Sequence, residues 1–120
     1  MVFVSGQVAL DADGNLVGPG DLGAQTAQAM RKLATALARS RHHLRGCRQD
    51  HHIRRRLPTR APQRHLSARS SFFPQGAPPA STLVGVAALA APEWLIEIEA
   101  IALPVVVASS KIASARTRMA

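Results

Sequence analysis

Ten of the fifteen Lys and Arg residues, and all five His, fall between Arg39 and Arg69. The flanks of this window carry clear apolar periodicity, so any fold must be assembled from them around a segment with little to bury. A chain of 120 residues makes one small domain at most. Its 47% apolar content suffices for a core, but 3% aromatic residues and no Tyr mean a core of Val, Leu, Ile and Ala. The net charge of +8 belongs to the central window; the rest of the chain is close to neutral. Such a charge ordinarily suggests a nucleic-acid or membrane-surface partner. The spacing predicts a single domain over 1–103 with an atypical basic segment over 39–69, and a loosely ordered tail over 104–120.

Val2 to Leu10 alternates as a half-buried strand does. Gly6 interrupts it with a position that another group can approach closely. Asp11-Ala12-Asp13-Gly14-Asn15 is a turn signal, since Gly and Asn tolerate positive φ. Asp21 suits a helix N-cap, and Leu22, Thr26, Met30, Leu33 and Leu37 repeat at helical spacing. Leu66, Arg69, Phe72 and Phe73 fit a short helix. Thr82–Leu89 and Trp94–Leu103 read as strands joined by a turn at Ala90–Glu93. The single cysteine, Cys47, cannot form an internal disulfide and fits a reducing compartment. With no basic region followed by a long apolar run at the N-terminus, a soluble cytoplasmic protein with no membrane partner is expected.

The central window has no sustained period and reads as a solvated basic loop. Were it helical, His43, Cys47 and His51 would share a face and could ligate zinc, but the spacing matches no standard closed site, so no metal is expected. The Arg54-Arg55-Arg56 run could hold nucleic acid by charge, but no aromatic residues interleave to stack bases, so such binding is not expected to be specific.

Two stretches carry a resemblance. Residues 2–22 read VFVSGQVALDADGNLVGPGDL, and residues 72–102 read FFPQGAPPASTLVGVAALAAPEWLIEIEAIA. Ser5-Gly6-Gln7 before an acidic-Gly turn, the Pro-Ala-rich loop before a strand, and IEIEAIA at 96–102 resemble the Rid family (YjgF-type proteins, older name L-PSP endoribonuclease). The resemblance implies an α+β, chorismate-mutase-like fold with one sheet packed on helices. It implies a homotrimer with ligand clefts between subunits, and cofactor-free hydrolysis of reactive enamines or imines to 2-oxo acids and ammonia. It assigns Glu97 as the carboxylate that positions the attacking water, and Ser5, Gly6, Ser81 and Thr82 as cleft-lining residues. On strand patterning alone, Glu97 and Glu99 also suit plain solvated positions.

Three departures set this chain apart from that pattern. The family's opening hairpin, with a Tyr that reaches the cleft, is not matched. The Arg that clamps a substrate carboxylate in deaminating members corresponds to Ser81, or to Ala80 with a one-residue shift; neither can supply a positive fork. The amphipathic strand expected in the middle is replaced by the basic window. Reading codons 41–62 one base out can yield ATTFADVVKITTYVVDYRPEHL, which looks like that strand. The expectation is a Rid protein with a truncated hairpin, a disrupted central strand, marginal folding and impaired activity. The alternatives are a non-catalytic ligand-binding paralogue or a small basic nucleic-acid-binding protein.

Overall fold

The computed structural model describes residues 1–56, 63–73 and 78–104. The tail expected to be loose lies, from residue 105 on, outside the described residues. Strand β1 (Val2–Gln7) leads through a turn to helix α1 (Leu22–Arg39), a 3₁₀ turn (Leu44–Gly46) and strand β2 (Cys47–Arg55). Helix α2 (Gln63–Ser70) and strands β3 (Ala80–Val86) and β4 (Ile96–Ala102) follow.

Helix α1 forms where the apolar stripe predicts it. Asp21 caps it, its Oδ1 accepting from the Ala24 amide at 3.0 Å, which satisfies one of the orphan donors of the first turn. Thr26, Met30, Leu33 and Leu37 are buried on one face, with Gln25 and Ala29 filling the rest of it. The helix stops at Ser40, after which Arg41 takes a left-handed φ of 58°. The turn after β1 is built by Asp11, whose Oδ1 accepts from the amides of Asp13 and Asn15, with Gly14 at φ 82°.

The four strands form one sheet in the order β1-β4-β2-β3. Both neighbours of β4 run antiparallel to it, whereas β2 and β3 are parallel. A parallel pair needs a crossover, and α2 lies in the connection that supplies it. The turn expected between the last two strands does not make a hairpin, because β2 sits between β3 and β4.

Burial along β4 alternates strictly, with Ile96, Ile98, Ala100 and Ala102 buried. Those four, with Ala29, Met30, Leu33, Leu37, Cys47 and Phe73, make the core between the sheet and the helices. Glu97, Glu99 and Ile101 point to the opposite, helix-free face. Among the described residues no helix is long and apolar enough to cross a membrane.

The α+β class stands, but the disrupted central strand does not. Residues 47–55 are a strand in an interior position of the sheet, hydrogen-bonded on both sides. The polar side chains of the window argue against a sheet in the sequence. The structure accommodates them by pairing them with one another. Asp50 and His52, two apart on β2, face the helices and are 0% exposed; His65 of α2 is 1% exposed. Arg69, one turn after His65, grips Asp50 with Nε to Oδ2 at 2.8 Å and a terminal nitrogen to Oδ1 at 3.0 Å. Its guanidinium also lies 4.9 Å from the centre of the Phe73 ring.

Candidate functional site

Of the residues singled out from sequence, Ser5, Gly6 and Glu97 meet at the β1–β4 seam. The register runs Val4 opposite Ala100, then Gln7 opposite Ile98, so β1 holds one extra residue at Ser5-Gly6. Such a bulge re-aims side chains. Gly6 is required there: a Cβ would sit 1.8 Å from Glu97 Oε1, so the carboxylate occupies the space a side chain would fill. Gln25 helps fix where β4 begins, donating to the carbonyls of Gly18 and Glu93 and accepting from the Leu95 amide at 2.9 Å.

Ser81 and Thr82 are separated from this seam and from each other. Both lie on β3, with β2 standing between them and β4. Ser81 is opposite Asp50 and turns to the same face; Thr82 is opposite His51 and turns to the helix-free face. Within one chain, therefore, Thr82 shares a face with Glu97 and Ser81 does not.

Sequence reasoning missed two polar constellations. The first is the buried chain Asp50–His52–His65. His52 Nε2 lies 2.9 Å from Asp50 Oδ2, and His65 Nε2 lies 2.7 Å from His52 Nδ1. A carboxylate only accepts, so His52 Nε2 carries the proton; Nδ1 is then the acceptor for His65 Nε2–H. That leaves His65 Nδ1 buried with no partner among the described residues. Burial, then the positive charges on Arg54 and Arg69 and on His52 whenever that ring is protonated, pushes the His65 imidazole down to about 4, so it is neutral at ordinary pH. Burial alone would raise Asp50, but hydrogen bonds from His52, Arg69 and Ser81 outweigh it and lower the carboxyl to about 2. The findable signal was Asp-x-His at strand spacing facing His-x-x-x-Arg at helix spacing.

The second constellation is on the helix-free face, where His51 Nδ1 lies 2.7 Å from Glu99 Oε1. It borders a concavity lined by Phe3, Ser5, Gln49, His51, Glu99 and Ile101, among others.

The zinc arrangement fails on its premise. The segment is a turn and a strand, so Cys47 is buried on the helix side while His51 faces away. Among the described residues no cluster of three His, Cys, Asp or Glu side chains is placed to hold a metal. Burial, reinforced by Asp50, pushes the Cys47 thiol up to about 11, so it is a poor nucleophile. Nor do Arg54, Arg55 and Arg56 form one basic patch. The first two alternate across β2, Arg55 donates to the Pro92 carbonyl, and Arg56 takes φ 56° beyond the strand.

No family profile matches the sequence, and no curated protein matches it. Solved structures do. A protein of unknown function of the conserved Rid family from Yersinia pestis is 34% identical, with a TM-score of 0.76 over 84% of this chain and 76% of that one. A candidate endoribonuclease from Thermotoga maritima is 30% identical, with a TM-score of 0.74 over the same shares. A member of the YjgF/YER057c/UK114 family from Mycobacterium tuberculosis is 26% identical, with a TM-score of 0.70 over 83% and 75%.

Proposed function

This chain belongs to the Rid family, and on that premise we propose that it hydrolyses small reactive enamines or imines to the oxo compound and ammonia, at an impaired rate. The observation that carries the reading is the Glu97 carboxylate held across Gly6 beside Ser5. Glu97 takes a proton from water as its oxygen attacks the imine carbon and passes it to the imine nitrogen, giving the carbinolamine; it then takes the hydroxyl proton and delivers it to the amine as the C–N bond breaks, leaving the C=O group and ammonia. A carboxylate bordered by an open bulge is suited to this exchange. Ser5 lines the approach, and Gly6 leaves room for the Glu97 carboxylate itself. No cofactor enters the chemistry.

Impairment follows from the missing cation. Ser81 stands where an Arg would clamp a substrate carboxylate, and it faces Asp50 rather than the seam. Losing a charged hydrogen bond costs roughly 1.5–3 kcal/mol, about ten- to a hundredfold in affinity. By the same resemblance we propose a homotrimer whose helix-free faces meet, bringing Thr82 of one copy towards the seam of another, and a cytoplasmic location. We further propose that the polar make-up of β2 arose from a one-base shift, which the nucleotide sequence of codons 41–62 tests.

The test is ammonia release from a 2-imino acid generated in situ by an amino-acid oxidase. The expected result is a rate above the spontaneous one that falls about a hundredfold or more in Glu97→Gln. Esterifying the substrate carboxylate should change the rate by less than about tenfold, since no Arg grips it. Equal rates for the wild-type chain and Glu97→Gln overturn the reading.

A further inference from the structure

Helix α2 has little apolar surface with which to hold itself in place. It reads Gln-Arg-His-Leu-Ser-Ala-Arg-Ser, and Leu66, its one large apolar residue, is 49% exposed. Among its described side chains His65 alone is buried, and Arg69 is 11% exposed. Both reach the polar face of β2. His65 Nε2 donates to His52 Nδ1 at 2.7 Å, and Arg69 forks onto Asp50. Phe72 and Phe73, past the end of the helix, reach the core. An isolated helix needs roughly 12 or more residues to persist in water. The 8 residues of α2 are therefore helical only while docked.

A proton on His65 breaks this seat. The Nε2–H is committed to His52, so a second proton goes to Nδ1. That nitrogen is buried with no acceptor among the described residues. The charged groups facing the ring are mostly positive: Arg54 of β2 and Arg69 of α2, with His52 when protonated, against the single carboxylate of Asp50. That carboxylate is already engaged by His52 and Arg69. Cys47, on the helix side of β2, is a neutral thiol. The inward residues of α1, β3 and β4 add no titratable group. An imidazolium at this position is solvated only by leaving. Departure strands nothing, because Asp50 and Arg69 then both reach water. Docking is full above pH 6.5 and weakens as pH falls towards 4, since the released ring takes up its proton first.

We propose that α2 is an acid-released latch: protonation of His65 frees this helix from the sheet, while α1 stays docked on its apolar layer. The release is separate from loss of the whole fold, because Met30, Leu33, Leu37, Ile96 and Ile98 under α1 do not titrate. Regions with few buried apolar contacts open locally below the cost of global unfolding. The cluster lies on the helix side of the sheet, so neither the meeting of helix-free faces nor imine hydrolysis enters.

Amide hydrogen exchange of the full chain at pH 7 and pH 5, read by NMR as protection factors, tests it. Protection of the α2 amides at 67–70 should fall about twentyfold between those pH values, the ratio imposed by a ring lowered from 6.5 to about 4. Protection in α1 over 26–37 should change by less than about twofold. His65→Gln keeps a donor for His52 but takes up no proton, so its α2 protection should be the same at both pH values. Should that variant fail to fold, the ratio of α2 to α1 protection in the unaltered chain still decides. The proposal is overturned by α2 protection that does not fall, by α1 protection falling in parallel, or by a pH dependence that survives in His65→Gln. None of these outcomes involves Glu97, so the latch and the hydrolysis reading fail separately.

Discussion

The two helices attach to the sheet by opposite means. Under α1, Met30, Leu33 and Leu37 meet Ile96 and Ile98 in a dry apolar layer. Under α2, Asp50 and His52 meet His65 and Arg69 in a chain of hydrogen bonds. The apolar contact is non-directional and indifferent to pH. The polar contact demands that each member be present and correctly protonated, because an unpartnered buried charge costs far more than the intact network contributes.

That contrast can be broken most severely at Asp50. Asp50→Ala strands Arg69 and His52, and should lower unfolding free energy by about 3–5 kcal/mol in denaturant titration. On the apolar side, Leu33→Ala should cost about 3 kcal/mol, and by the same amount at pH 7 and pH 5. Equal pH dependence for the two variants would erase the distinction.

Acid titration sharpens it. His65 is lowered from 6.5 to about 4 in the folded chain, so the unfolded chain takes up its proton first as pH falls. Stability from this group is therefore full above pH 6.5 and declines to pH 4, by up to about 3 kcal/mol. Asp50, lowered from 3.8 to about 2, adds a further loss below pH 4. In His65→Gln the amide can still donate to His52, so stability between pH 6.5 and 4 should flatten in urea melts repeated across that range. The smallest effect is expected at Asp21, where Asp21→Ala removes the cap on Ala24 and should cost about 1 kcal/mol whatever the pH.

Legibility in the sequence followed the same division. Helix α1 could be read from Asp21 and the Leu22-to-Leu37 stripe because apolar burial imposes a period. Strand β4 could be read because IEIEAIA alternates. β2 could not, since its inward residues are Asp50 and His52 and its burial depends on His65 and Arg69, which lie elsewhere in the chain. A pairwise polar match across two elements leaves no period in either. At the candidate site, Gly6 and Glu97 were legible through resemblance, and their contact explains why a glycine stands there. Ser81 was assigned to the same cleft, but strand alternation turns it to Asp50. His51 was weighed only as a zinc ligand on a helix, because nothing in a segment without a period points to its place beside Glu99 on the sheet.

The sheet order also governs how this chain comes together in time. β1 is an edge strand whose neighbour, β4, places Ala102 opposite Val2. Strand β1, made before the other described strands, thus has to wait for nearly the whole described chain before it can pair. Ordering across so long a span is slow, because the entropy of closing it is lost before any contact rewards it. Until then the apolar stripe of α1 has no sheet to cover it, and nascent copies at high concentration are exposed to one another in the interval.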